Sequence, residues 1–203
     1  VLITPLDIPD SYLIAPRVFG DDRGSFHEWF RADHIASEIG REVPIAQANN
    51  SVSAAGVVRG IHFADVPLGQ AKYVTVSQGA IIDFIVDLRI GSPTFARWQC
   101  VELNDENRHA LFLAEGLGHA FGSLVDDTIV NYLVTDVFRP EREHAVHPLD
   151  RAVGLDFSLL PGAPILSAKD EVAPSLAQAQ ADGLLPVWEN CQQRYRDLAV
   201  SCA

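Results

Sequence analysis

The stretch Lys72-Tyr73-Val74-Thr75-Val76-Ser77-Gln78-Gly79-Ala80-Ile81-Ile82-Asp83-Phe84-Ile85-Val86-Asp87-Leu88 sets two β-branched and aromatic runs on either side of one turn glycine. Runs of this length and composition, broken by glycine, read as short strands joined by a tight turn. The same texture recurs at residues 97–103, 110–113 and 128–135, with Gly91-Ser92-Pro93 and Asn104-Asp105 as further breaks. Strand following strand favours an antiparallel sandwich or barrel over βαβ units, so an all-β jelly-roll sandwich is expected. Helical signals are confined to the flanks. One covers residues 32–39 and another residues 175–183, where Pro174 stands at the entrance and Gly183 at the exit. A C-terminal helical cover from about residue 171 is therefore expected over the β core, and the last dozen residues are expected to fray.

Composition narrows the class. The 203 residues suit a single domain, and a hydrophobic fraction of 48% suffices for a sizeable core. With 15 Lys plus Arg against 27 Asp plus Glu the net charge is -12, which argues against a partner as anionic as nucleic acid. An anionic small ligand would need locally clustered arginines. No apolar run approaches the roughly 20 residues that span a bilayer, and a soluble, cytoplasmic protein is expected. Cys100, Cys191 and Cys202 form neither an even set nor a metal-ligand pair, so they read as structural or incidental.

Strand periodicity picks out the polar residues that share a face with apolar neighbours, where they are costly unless paired or used. Lys72 aligns with Val74 and Val76, and Tyr132 with Val130 and Val134. Asp83 lies within Ile81-Ile82-Asp83-Phe84-Ile85, and His62 follows Gly60 in Val58-Arg59-Gly60-Ile61-His62-Phe63. Any one of these alone is more often a satisfied core residue. Together they point to a polar cavity, and Asp83 reads as a structural partner for Lys72 or a histidine, because a buried charge needs one. His62 and His119 also raise the question of a metal of the kind cupin-type jelly rolls gather. The spacing is poor for it: Ala64 stands two residues after His62, and no Glu follows closely.

Read in order, five segments resemble the dTDP-4-dehydrorhamnose 3,5-epimerase family: Phe19-Gly20-Asp21-Asp22-Arg23-Gly24-Ser25-Phe26-His27-Glu28, residues 47–53, Val58-Arg59-Gly60-Ile61-His62, Asp87-Leu88-Arg89-Ile90-Gly91-Ser92-Pro93-Thr94-Phe95, and Gly118-His119-Ala120-Phe121. The resemblance runs from about Phe19 to Asp170 and leans toward the branch that makes deoxysugars for antibiotics, some of whose members invert one carbon only. It implies a cupin-like jelly roll that needs no cofactor or metal. It implies His62 as general base, Tyr132 as general acid, Asp170 as the carboxylate behind the histidine and Lys72 beside the sugar ketone. His119 would be a further sugar-site histidine. Arg23, Phe26, Glu28, Gln47, Asn49, Arg59, Phe138, Glu143 and Lys169 match positions that hold the sugar or the nucleotide diphosphate. Arg23 and Glu28 would come from the neighbouring subunit of a homodimer. The chain departs from the pattern at Phe138, where many members carry tyrosine against the thymine ring, and in Leu113-Ala114-Glu115-Gly116, which lacks a proline.

The implied substrate is a dTDP-linked 4-keto-6-deoxy sugar, whose C3 and C5 hydrogens both adjoin the carbonyl. Neutral imidazole suits their removal, an ammonium suits the enolate that forms, and a phenol suits proton return from the other face. Arg23 and Arg59 suit phosphate oxygens. Arg59 and His62 are three residues apart, which a regular strand would send to opposite faces, and Gly60 is the place for a bulge that turns both inward. Two other readings share the fold: a metal-dependent cupin enzyme using His62 and His119, and a non-catalytic sugar-nucleotide binding module.

Overall fold

The computed structural model describes residues 1–199, so Cys202 lies outside the described residues. The chain opens with β1 (Leu2–Pro5) and β2 (Ser11–Ala15), a small hairpin of β3 (Phe19–Asp21) and β4 (Gly24–Phe26), and α1 (Ala32–Ile39). The β core follows as β5 (Gln47–Ser53), β6 (Val58–Ala64), β7 (Lys72–Gln78), β8 (Ala80–Asp87), β9 (Trp98–Asn104), β10 (Ala110–Leu113), β11 (Leu117–Ser123), β12 (Thr128–Val134) and β13 (Glu143–Ala145). Three helices close it: α2 (Ala168–Glu171), α3 (Leu176–Ala181) and α4 (Trp188–Asp197). None of the helices described is long and apolar enough to cross a membrane.

The strands form two facing antiparallel sheets in the orders β1-β2-β10-β7-β12-β5 and β13-β6-β11-β8-β9, the cupin-like jelly roll expected of so many short strands. The β8 run is almost continuously apolar because it is buried on both faces. Ile81 and Ile85 turn into the space between the sheets, while Ile82, Phe84 and Val86 pack with Val146 and Val153 and with Leu176, Ala179 and Leu185 of the C-terminal cover. Gly118 and Gly122 permit that packing on β11: a Cβ at Gly118 would lie 2.7 Å from Ile61 and Leu88 side-chain carbons, and one at Gly122 2.9 Å from Leu160.

The helices α1 and α3 fall where the flanking signals put them. Ser175 caps α3, its hydroxyl accepting from the Gln178 N–H, and Gly183 takes a positive φ just beyond the helix. The fraying expected of the last dozen residues is corrected as far as Asp197, where α4 ends with its Cys191 and Tyr195 buried, and residues 200–203 lie outside the described residues. Tyr195 donates its hydroxyl to the Glu115 carbonyl, and the Arg89 guanidinium stacks 4.4 Å from the Trp188 ring, so the helix is tied to the core by more than its own backbone.

Candidate active site

A cavity of about 200 Å³ lies between the sheets, and a neighbouring concavity of about 430 Å³ shares His62, Lys72, Tyr132 and Lys169 with it. Strand register explains who lines them. On the six-stranded sheet Tyr132 stands opposite Val74 and Asn49, while Val134 stands opposite Lys72 and Gln47, so Lys72, Tyr132, Gln47 and Asn49 share one face. On the five-stranded sheet His119 pairs with His62, and Phe121 with both Arg59 and Asp83. The residues expected to collaborate thus reach one space from both walls.

Arg59 and His62 share a face because β6 bulges: the register slips between His119 and Phe121, so Gly60 and Ile61 together oppose Ala120. Only glycine fits there. Gly60 has φ 130, and a Cβ would lie 2.4 Å from the Ala120 Cβ and 2.6 Å from the His119 carbonyl oxygen. Gly60→Ala is expected to cost roughly 3 kcal/mol, from backbone strain and overpacking of order 1–3 kcal/mol each. Thermal unfolding should register this as a drop of about 6–12 °C in Tm. An unchanged Tm would show that the bulge is not sterically required.

The His62 ring meets the Asp170 carboxylate through Nε2 at 2.7 Å, with 33% of the His62 side chain exposed and only 3% of the Asp170 side chain. Ser167 caps the short α2, accepting the Asp170 N–H at 3.1 Å, so the cap sets the carboxylate one turn into the helix and beneath β6. With Nε2–H donated to Asp170, Nδ1 is the lone-pair nitrogen. Burial pushes the imidazole below its usual value, a trend the Asp170 hydrogen bond opposes and the Lys72 charge reinforces. Burial would raise the Asp170 carboxyl, but the His62 hydrogen bond and charge, with Ser167 and the Gly60 N–H nearby, hold it below the ordinary carboxylate value. The pair therefore rests as neutral imidazole on a carboxylate.

Burial also lowers the Lys72 ammonium, with Glu143 and Asp83 resisting, and raises the Tyr132 phenol. A second histidine–carboxylate contact, His119 Nε2 to Asp83 Oδ1 at 2.8 Å, stands beside the first and answers the open question of Asp83's partner. Arg59 donates to Ser53 Oγ at 3.2 Å and the Val52 carbonyl at 3.3 Å. At the outer concavity Gln47 bridges Asn49 and the Phe138 backbone N–H, at 2.7 and 2.9 Å, while the Phe138 ring stays exposed beside Glu143 and Lys169.

Arg23, Phe26 and Glu28 are not part of this space within one chain. Arg23 and Phe26 sit on the β3–β4 hairpin, where Arg23 is paired with Asp21 and its side chain is 90% exposed; Glu28 follows it, 3.6 Å from Arg31. Other lining residues went unread in the sequence: Ser51, Gln70, Phe121, His144 and Ser167. Ser51 continues the Gln47, Asn49 alternation, and Ser167 stands three residues before Asp170 in a capping pattern, so those two carried a signal. Among the described residues no three His, Cys, Asp or Glu side chains converge as a metal-binding group. The arrangement can take a proton at His62 Nδ1, hold negative charge at Lys72 and return a proton from Tyr132 on the facing sheet.

The family model for dTDP-4-dehydrorhamnose 3,5-epimerase matches residues 5–178. A dTDP-4-dehydrorhamnose 3,5-epimerase of Mycolicibacterium smegmatis is 48% identical, over 92% of this chain and 92% of its own length. A dTDP-4-dehydrorhamnose 3-epimerase of Streptomyces niveus is 47% identical, over 94% of this chain and 91% of its own length. Among solved structures, the 3'-monoepimerase ChmJ of Streptomyces bikiniensis in complex with dTDP-quinovose superposes with a TM-score of 0.92 at 43% identity, covering 96% of this chain and 98% of ChmJ. With match, identity and coverage extending over nearly the whole chain, the protein belongs to the dTDP-4-dehydrorhamnose 3,5-epimerase family.

Proposed function

We propose that the protein is a cytoplasmic homodimer that epimerises a dTDP-linked 4-keto-6-deoxyhexose at C3, C5 or both. The observation that carries the proposal is the meeting, in one cavity, of the Asp170-backed His62 from one sheet with Tyr132 and Lys72 from the other. His62 Nδ1 removes a hydrogen next to the C4 ketone. The electron pair moves onto the ketone oxygen, where Lys72 stabilises it, and Tyr132 supplies a proton to the opposite face. His62 then loses its proton and Tyr132 regains one from water, so each turnover carries solvent hydrogen into the sugar.

Incubation with dTDP-4-keto-6-deoxyglucose in deuterated water, followed by NMR, tests this directly. Deuterium at C3, at C5 or at both identifies the carbon deprotonated, and the ring-proton couplings of the product identify the carbon inverted. No label in this or any related keto sugar would overturn the proposal.

The homodimer is supported by the β3–β4 hairpin, which among the described residues pairs with no other strand and leaves Phe19 and Phe26 49% and 66% exposed. The free thiols of Cys100 and Cys191 suit a reducing compartment. If the hairpin of one subunit completes the nucleotide site of the other, Arg23→Ala and His62→Ala lie in different chains of each site. Random mixing of the two inactive variants should then restore about a quarter of wild-type turnover, because half the dimers are mixed and each holds one intact site. A mixture as inactive as its components would place Arg23 and His62 in the same chain's site.

A further inference from the structure

Asp83 sits mid-strand on β8, fully buried, alternating with Ile81 and Ile85 on the face turned between the sheets. An apolar side chain would be the ordinary occupant of that place. Asp87, on the same strand, shows what a structural carboxylate looks like here. It accepts from the Arg89 backbone N–H, Nε and Nη2 and from the Ser92 and Thr94 hydroxyls, so both its oxygens are bonded. Among the described residues Asp83 has one bond, to His119 Nε2 at 2.8 Å, and its Oδ2 has no hydrogen-bond partner. Lys72, from the facing sheet, feels the Asp83 charge, yet among the described residues it has no carboxylate within ion-pair distance. A buried carboxylate left half satisfied is a poor stabilising device, since its desolvation is only partly offset.

We infer that Asp83 is a positioning residue for the reaction, which orients His119 through Nε2 and holds the Lys72 ammonium so that both face the ketone oxygen of the substrate. The inference rests on the keto-sugar reading of the cavity. A carboxylate on Nε2 fixes which imidazole nitrogen of His119 faces the substrate, and its negative charge favours the protonated lysine that the enolate needs.

Asp83→Asn keeps size and an acceptor oxygen for His119 and removes the charge, whereas Asp83→Val removes both. Turnover and deuterium exchange are expected to fall roughly 10- to 100-fold in the Asn variant, the scale on which carboxylates orienting metal-bound histidines act. A larger fall is expected in the Val variant. KM and the affinity for dTDP should stay within about threefold of wild type, and neither Tm should drop, because a half-satisfied buried charge contributes little to folding. Wild-type exchange in either folded variant would overturn the inference, and so would a rate loss that merely follows a lowered Tm or a raised KM. Absence of exchange in the wild-type protein itself would instead strike the keto-sugar reading and take this inference with it.

Discussion

His62→Ala is expected to slow deuterium exchange into the keto sugar by about a thousandfold to ten-thousandfold while leaving dTDP affinity within about threefold. The Asp170 carboxylate holds Nε2 of His62 at the cavity, which leaves Nδ1 as the acceptor for a carbon-bound proton. Loss of the imidazole leaves Asp170 beside Ser167 and the Gly60 N–H, so the fold should survive and circular dichroism should match wild type. The pH dependence has a definite sign. A base works only when unprotonated, and burial holds His62 below its ordinary value of 6.5, so kcat/KM should begin to fall only below that pH and keep falling with further acidification. Asp170→Asn should give an intermediate rate loss, because the ring keeps a neighbour on Nε2 but loses the charge that favours its protonated product. Exchange in His62→Ala at the wild-type rate would remove His62 from the role of base.

How much of this could be read from the residues varies with the physical signal each element carries. The strands of the quoted stretch announce themselves because β-branched runs between turn residues have few alternative structures. By contrast β11, Leu-Gly-His-Ala-Phe-Gly-Ser, carries two glycines that look like loop chemistry and are there because Ile61, Leu88 and Leu160 press against them. The helix α4 hides for another reason: it has no side-chain N-cap and buries only Cys191 and Tyr195, four residues apart, too thin a stripe for periodicity to show. At the site, alternation brings out Lys72, Tyr132 and Asp83, and Gly60 resolves the three-residue spacing of Arg59 and His62 through a bulge. The union of His62 with Asp170 spans 108 residues, and only the family resemblance pointed to it before the chain was folded. Arg23 and Phe26 on the β3–β4 hairpin and Glu28 just after it obey no rule within one chain, because among the described residues the hairpin pairs with no other strand.

The choice of carbon is not set by overall similarity. Relatives at 47% and 48% identity are named a 3-epimerase and a 3,5-epimerase, and the same base and acid can serve either position. His62 and His119 on one sheet and Lys72 and Tyr132 on the other give the cavity two walls, and the proposed function divides proton removal and return between them.

That separation makes Tyr132→Phe the most discriminating substitution. The variant keeps the ring that packs against the core and removes only the hydroxyl, for which the described residues offer no hydrogen-bond partner, so the fold loses nothing. His62 can still remove the proton, exchange it with solvent and return it to the same face. Tyr132→Phe should therefore retain measurable deuterium exchange while net inversion falls about a hundredfold to ten-thousandfold, the range for loss of a positioned general acid. Burial raises the phenol, which makes it a reluctant acid toward water but leaves it protonated and ready when a carbanion-like enolate forms beside it. Inversion should persist to high pH and decline only where the phenol ionises, above its ordinary value of 10.0, and that decline should be missing from the residual exchange of the Phe variant. If exchange and inversion fall together in Tyr132→Phe, the two walls do not divide the proton transfers between them. If inversion continues at the wild-type rate, the proton on the far face comes from water or from another residue.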